Sequence, residues 1–337
     1  MTDNTIRIDL SRIGKLKIFP DPGKYQLSDE LKNAVNVALT LGQPLLLTGE
    51  PGTGKTQLAH KIAYDLSKEY EEFYKELFVF NTKTTSMASD LFYVYDAISH
   101  FRDANIKKTE NRDPIDVSNY IKLQALGKAI ALSNITDVDK RYVEKLSDSE
   151  TQDFTPKSSV VLIDEIDKAP RDFPNDLLDE IENLHFRIKE DNYYTIKKGN
   201  DRKIIVVITS NSEKNLPDAF LRRCVFYNIT FPGKEELQKI VQSHLGNETK
   251  YTSDALIDFF MKEFRDKLTR KKPATVELIA WLKMLEIENF LGGERFDPSN
   301  LSVNQKDILR DSFPILAKNL DDMKTLEENF LKGYKIG

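Results

Sequence analysis

Cysteine is nearly absent from this chain. Cys224 is the only one in 337 residues. A single thiol cannot build an intrachain disulfide framework, and a reducing compartment is the natural setting. Long apolar runs are missing as well. No stretch reaches the ~18 residues needed to span a bilayer. The N-terminus, "MTDNTIRIDLSRIGKLKIF", lacks the apolar centre of a signal peptide. The expected location is therefore cytoplasmic, with no membrane partner. Nor is there an excess of positive charge. The 49 Lys and Arg against 54 Asp and Glu leave a net charge of -5, which argues against a dedicated DNA-coating protein while leaving room for a local basic patch. No internal repeat or low-complexity tract stands out. What remains is 40% hydrophobic and 31% charged residues, the balance of a soluble globular chain. The length allows one large core or two domains.

Residues 1–24 form an N-terminal segment with no clear pattern. At Ser28 a helical period begins, "SDELKNAVNVALTLG", with Ser28 as cap and Leu31, Val35 and Ala38 on one face. "PLLLTGE" reads as a short buried strand. "TQLAHKIAYDLSKEYEEFYKEL" reads as a helix through Leu58, Ile62 and Leu66, and "FVFN" as a second strand. Residues 82–158 are less regular, with a helix expected around "DLFYVYDAISHF" and polar loops near "KKTENRDP". "SSVVLIDE" and "KIIVVITSN" are apolar runs that suit buried strands. Between them, "FPNDLLDEIENL" is a helix with Pro174 in its first turn, and "HFRIKE" with "NYYTIK" alternates like a hairpin. "CVFYNITF" closes the series. Strands alternating with helices predict an α/β fold: a parallel sheet covered by helices on both faces. After Pro232 the strand signals stop. "KEELQKIVQSHL", "SDALIDFFMKEFRDKL" and "ATVELIAWLKMLEIENFL" are amphipathic helices, their aromatic residues reading as core. The expected organisation is a 1–24 segment, a 25–232 α/β domain and a 233–337 smaller all-helical domain.

"GEPGTGKT", Gly49 to Thr56, fits G-x-x-x-x-G-K-[ST] between a predicted strand and a predicted helix, the context that a phosphate-binding P-loop requires. Gly49, Gly52 and Gly54 allow turns closed to residues with a Cβ. Their N–H groups can then converge on phosphate oxygens at the start of a helix dipole, and Glu50, Pro51, Thr53 and Gln57 complete the candidate nucleotide-binding set. Lys55 would reach the β- and γ-phosphates, and the Thr56 hydroxyl would ligate Mg²⁺. The competing reading is a glycine-rich turn that only joins strand to helix.

"VVLIDEID" ends its strand in Asp164 and Glu165. Ligands of parallel sheets lie beyond the carboxyl ends of the strands. Asp164 is thus placed to hold Mg²⁺ through its water shell, and Glu165 to polarise an attacking water as general base. A solvated loop is the alternative. Asp167 and Lys168 read as a surface pair. "VVITSN" ends in Thr209, Ser210 and Asn211, and Asn211 could hydrogen-bond the water or the γ-phosphate, or merely cap a turn. Arg222 and Arg223 close "LPDAFLRR". Arginine suits a helix end because its charge complements the carbonyl dipole.

In this order, "GEPGTGKT", "VVLIDE" and "ITSN" resemble the Walker A, Walker B and sensor 1 motifs of AAA+ ATPases. "LIDEIDKAPRDFPNDLLDEIE", "LPDAFLRRC", "TTSMASDLFYVYDAISHF" and the hairpin from Phe186 to Ile196 are similar to corresponding stretches of the MoxR-like group, a helix-2-insert clade. The resemblance spans roughly residues 25–290. It implies a P-loop NTPase core with a helical lid, and Mg²⁺-dependent ATP hydrolysis at the interfaces of a homo-hexameric ring. It also implies a chaperone-like action on a client protein, one with a von Willebrand factor A domain in many relatives. One subunit lends an arginine to the next. Aligned to the family, Arg223 is the first candidate and Arg222 the second, with bridging of subunits as its other role. The family also carries a sensor 2 arginine near the start of a lid helix. Here the stretch "RKKPATVELIAW" puts Thr275 or Val276 at that place, neither basic, with Arg270, Lys271 and Lys272 nearby.

Two other functions compete with a remodelling ATPase. One is a GTPase or ATPase motor of a DNA restriction or defence system. The other is a nucleotide-gated assembly switch with little turnover, against which the full set of Asp164, Glu165 and Asn211 argues. The charge balance lends no support to a nucleic acid partner.

Overall fold

Five short parallel strands form the sheet that carries the predicted motifs, in the order Phe78–Asn81 (β2), Ser159–Asp164 (β5), Ile204–Thr209 (β8), Leu45–Gly49 (β1) and Val225–Ile229 (β9). The computed structural model describes residues 21–110, 115–146, 155–211, 216–246, 249–268 and 270–331. Most of the N-terminal segment, and Asn111–Pro114 of the expected polar loop, lie outside the described residues.

The first helix, α1 (Asp29–Leu41), starts where the sequence says it should, with the Ser28 Oγ accepting from the Leu31 N–H at 3.2 Å. It ends at Gly42, whose φ of 64° is the left-handed C-cap that glycine adopts without a Cβ penalty. Strand β1 (Leu45–Gly49) follows at once. Leu45, Leu46 and Leu47 are essentially inaccessible to solvent, and each contributes about 1.5–3 kcal/mol by leaving water. The strand lies between β8 (Ile204–Thr209) and β9 (Val225–Ile229), with Leu45 opposite both Val207 and Val225. Helix α2 (Lys55–Glu69) leaves the end of β1 through the glycine-rich loop. On the other side, β5 (Ser159–Asp164) pairs with β8 and with β2 (Phe78–Asn81). Ile163 stands opposite Ile208. Asp164 and Thr209 therefore leave the sheet side by side.

Four departures from the sequence reading have identifiable causes. Helix α2 stops at Glu69 rather than near Leu77, because residues 72–74 turn extended and pair with Ser158: the Ser158 N–H donates to the Glu72 carbonyl, and the Tyr74 N–H to the Ser158 carbonyl. Tyr93–Tyr95, expected within a helix, is strand β3, antiparallel to β4 (Ile121–Leu123). Its Tyr-Val-Tyr alternation is the period of a strand. Helix α3 begins only at Ala97 and continues to Glu110, taking in residues expected to be loop. Helix α4 (Ala125–Ser133) was not anticipated. It is buried on nearly every side, from Ala125 to Ser133, and a helix buried all round shows no amphipathic period.

A short helix α5 (Lys140–Val143), helix α6 (Phe173–Asn183), the hairpin β6 (His185–Ile188) with β7 (Tyr194–Lys197), and a one-turn helix α7 (Asp218–Leu221) complete this part. The hairpin forms as the alternation predicts, with Phe186 opposite Ile196.

The chain divides into two compact units. The α/β unit comprises Leu27–Gly49 and Lys55–Ile229, and its core runs from Leu46 through Phe220. The helical unit comprises Thr230 onward together with residues 21–26 and the loop segment Glu50–Gly54. Its helices are α8 (Lys234–Leu245), α9 (Asp254–Phe259), α10 (Thr275–Ile287), α11 (Val303–Leu316) and α12 (Leu320–Leu331). Phe260, Phe264, Trp281, Leu282 and Phe313 are fully buried in its core, and the Trp281 indole donates to the Ser312 hydroxyl at 3.0 Å. The expected helix over Ser253–Leu268 differs in kind: α9 passes into a π-helix over Phe260–Arg265. No helix of the described residues is long and apolar enough to cross a membrane.

Candidate nucleotide-binding site

Gly49, Gly52 and Gly54 all have positive φ, at 140°, 82° and 92°. Only glycine adopts such angles without strain, and the three together fold Gly49–Thr56 into a loop whose backbone N–H groups can face an anion. Thr53 steadies the turn, its hydroxyl donating to the Glu50 carbonyl at 2.8 Å. Glu50, Pro51 and Gly52 are exposed, whereas Gln57 is half-buried in the first turn of α2. Lys55 is buried, and its ammonium donates to the Gly49 carbonyl at 2.8 Å. Burial pushes its pKa down from the ordinary lysine range, and the carboxylates of Asp164, Asp167 and Glu165 pull the other way. The lysine thus sits in a field of negative charge at the start of a helix.

The Thr56 hydroxyl lies 3.1 Å and 3.2 Å from the two carboxylate oxygens of Asp164. Hydroxyl and carboxylate are hard oxygen donors, the kind Mg²⁺ takes alongside water and phosphate. Among the described residues no group of three or more His, Cys, Asp or Glu side chains is placed to hold a metal ion. The pair Thr56 and Asp164 fits a cation whose remaining ligands come with a nucleotide.

Thr209 ties the two strand ends together. Its buried hydroxyl donates to Asp164 Oδ1 and accepts from the Glu165 N–H at 2.8 Å. Glu165 has a φ of 56°, in the left-handed region. Its Oε1 accepts from the Asn211 side-chain amide at 3.3 Å, and its Oε2 pairs with the Lys168 ammonium. The Asn211 backbone N–H in turn donates to Asp167 Oδ1 at 3.0 Å. Asp167 and Lys168, expected to form a surface pair, do not pair with each other. They brace Asn211 and Glu165 from the turn that follows β5. Their spacing after Glu165 was the only signal available.

Arg222 and Arg223 close the one-turn helix α7. Both are exposed. Arg223 Nε pairs with Glu182 Oε1 of α6 at 3.0 Å, with about half of each side chain open to solvent. The next residue, Cys224, is half-buried, and burial pushes its thiol up to about 12.

In the helical unit, Thr275 opens α10 and is buried, while Val276 is exposed. Arg270 pairs with Asp321 at an exposed position. Lys271 and Lys272 border a cavity of about 70 Å³ shared with Pro51 and Gly52. Arg265, which no sequence pattern singled out, reaches Glu50 Oε2 of the loop at 2.7 Å.

The family comparison agrees with this geometry. The model of the AAA family, described as ATPases associated with various cellular activities, matches residues 45–232. No curated protein matches the chain. Among solved structures, domain III of the replication initiation protein DnaA from Thermotoga maritima is 14% identical and covers 86% of this chain and 95% of its own, with a TM-score of 0.42. Two variants of RuvB from the same organism are 18% and 17% identical. They cover 89% and 94% of this chain, and 74% and 82% of their own, with TM-scores of 0.44 and 0.48. The family match takes in the glycine-rich loop, the β5 carboxylates and the β8 end, and on that span the chain belongs to the AAA family of ATPases.

Proposed function

We propose that this protein is a MoxR-like member of the family. In this reading it hydrolyses ATP with Mg²⁺ at the subunit interfaces of a homo-hexameric ring and uses the cycle to remodel or assemble a client protein. The observation that carries the hydrolytic half is the continuous set of bonds from Thr56 through Asp164, Thr209 and Glu165 to Asn211.

Each residue has a task in that reading. The loop amides and Lys55 hold the phosphates, positioning them without covalent chemistry. Thr56 and Asp164 would hold Mg²⁺, which when bound neutralises charge that builds on the phosphoryl oxygens. Glu165 accepts the proton of the attacking water, a contribution of ~10²–10⁴ in rate for a well-placed general base. Asn211 orients Glu165 and the water. Arg223, supplied to the neighbouring subunit, stabilises the charge of the transition state, with Arg222 beside it.

A second reading, a nucleotide-gated assembly switch with little turnover, is favoured by one contact. Lys168 occupies an oxygen of Glu165 that would otherwise be free to take the proton. Steady-state turnover separates the two. The ATPase reading expects measurable hydrolysis that Glu165→Gln abolishes while nucleotide binding is retained. Turnover at background in assembled wild-type protein would leave the switch. Co-purification with the Glu165→Gln form is the route to the client, because a ring stalled with nucleotide should retain it.

A further inference from the structure

Arg265 is buried. A guanidinium cannot shed its charge, so burial is expensive unless its donors are met. They are met from three directions within the helical unit. Nη1 donates to the Pro273 carbonyl at 2.8 Å, the cation lies 3.4 Å over the Phe231 ring, and Nη2 pairs with Glu50 at 2.7 Å. The first two leave the buried charge without a counterion, which Glu50 supplies. The third reaches the phosphate loop.

The winding of the helix explains how Arg265 arrives there. Over Phe260–Arg265 the chain is a π-helix, bonded i→i+5. That spacing stacks residues five apart on one face, so Arg265 shares the inward face of Phe260 instead of turning toward solvent. Such turns are frequent at functional sites.

Glu50 is the first residue of the loop crest. Its own carbonyl accepts from the Thr53 N–H and hydroxyl, so its side chain and backbone both shape the turn. Two further side chains lie close over the crest. A Cβ on Gly52 would stand 2.8 Å from the Ala274 Cβ, and a Cβ on Gly54 would stand 3.0 Å from the Tyr25 ring. Ala274 follows Pro273, the other partner of Arg265. One arginine thereby ties the crest residue Glu50 to the segment on which Gly52 rests.

We propose that Arg265 is a positioning residue for nucleotide binding: through Glu50 it sets the shape of the loop crest, so the loop's affinity for phosphate depends on an intact helical unit. The proposal rests on the reading of Gly49–Thr56 as the ATP-binding loop. Glu165, Asn211 and Asp164 belong to the α/β unit. Loss of the Arg265–Glu50 pair should therefore raise KM and leave kcat nearly alone.

The test uses the full-length chain, N-methylanthraniloyl-ATP as the binding probe, and ATP for steady-state kinetics. Glu50→Ala should weaken probe binding and raise KM by about 10-fold, with kcat changed less than about twofold. Glu50→Gln keeps a neutral acceptor and should recover part of the loss. Arg265→Lys, which keeps the charge but loses the planar fork, should match Glu50→Ala. The double variant should stay near about 10-fold rather than reach about 100-fold, because the two changes remove one interaction. A folded Glu50→Ala protein with wild-type affinity overturns the proposal, and so does an additive double variant. If Arg265→Lys does not fold, the two Glu50 variants decide alone. Wild-type protein that binds no probe would overturn the ATP reading and this proposal together. Normal wild-type binding with an unaffected Glu50→Ala overturns this proposal alone.

Discussion

At the ends of β5 and β8, every polar side chain that matters is held by another. Thr209 grips Asp164 and the Glu165 backbone, Asn211 grips Glu165, and Asp167 grips Asn211. At the end of α7, in the same α/β unit, Arg223 leans on one exposed glutamate, and Arg222 has no ion pair among the described residues. The first region is assembled within one chain and needs only a ligand. The second is a pair of strong charges with little local use. A helix-ending arginine contributes only ~0.3–1 kcal/mol, whereas an arginine finger in a P-loop NTPase supplies ~10³–10⁵ in rate. On the proposed ring reading, the contrast is what a site completed by a neighbouring subunit would look like from inside one subunit.

The most severe test of that contrast is Arg223→Ala. Turnover of the assembled protein should fall by ~10³–10⁵-fold with nucleotide affinity unchanged, as measured by steady-state hydrolysis beside probe binding. Mixing this variant with Glu165→Gln subunits should restore part of the activity. If the mixture stays dead while rings form, the arginine does not act across an interface. Next in size is Thr209→Val, which conserves shape but removes the bridging hydroxyl. It leaves the partly buried Glu165 N–H without its acceptor, so denaturant unfolding should show a loss of about 1–3 kcal/mol. Turnover should drop as Glu165 loses its anchor. A variant of wild-type stability and rate would mean that the strand-end cluster is not held together as described. The smallest effect belongs to Glu182→Ala. The exposed pair with Arg223 is worth about 0–1 kcal/mol, so thermal unfolding should scarcely move. A large loss would show that the arginine is a structural element after all. Cys224 offers an independent probe of the same corner. With its thiol pushed up to about 12, the native protein at pH 8 should alkylate far more slowly than the unfolded chain. Rapid labelling would show that the α7 end opens freely.

What could be seen in the sequence follows from how local each feature is. The phosphate loop is a run of consecutive residues whose glycines and lysine have meaning in that order alone. The placement of Asp164, Glu165 and Asn211 was legible because an apolar strand that stops on polar residues puts them at its carboxyl end. Asp167 and Lys168 misled because their partners lie across the turn and just past the end of another strand. Helix α4 was hidden by its own burial. The Arg265–Glu50 pair joins residues 215 positions apart through a π-helical turn that no periodicity announces. The partner of Arg223 is likewise tertiary, since Glu182 comes from a different helix.

The backbone of Glu165 carries one more consequence. Its φ of 56° places a residue with a Cβ in the left-handed region, at a cost of about 1–3 kcal/mol. The Thr209 hydroxyl on its N–H and the Lys168 N–H on its carbonyl hold it there. Glycine would adopt the same angles at no cost. Glu165→Gly should therefore yield a protein whose backbone is more relaxed at this position, and which hydrolyses nothing. On the proposed reading of Glu165 as the base, an unbiased screen for thermal robustness would be expected to discard the carboxylate that turnover needs.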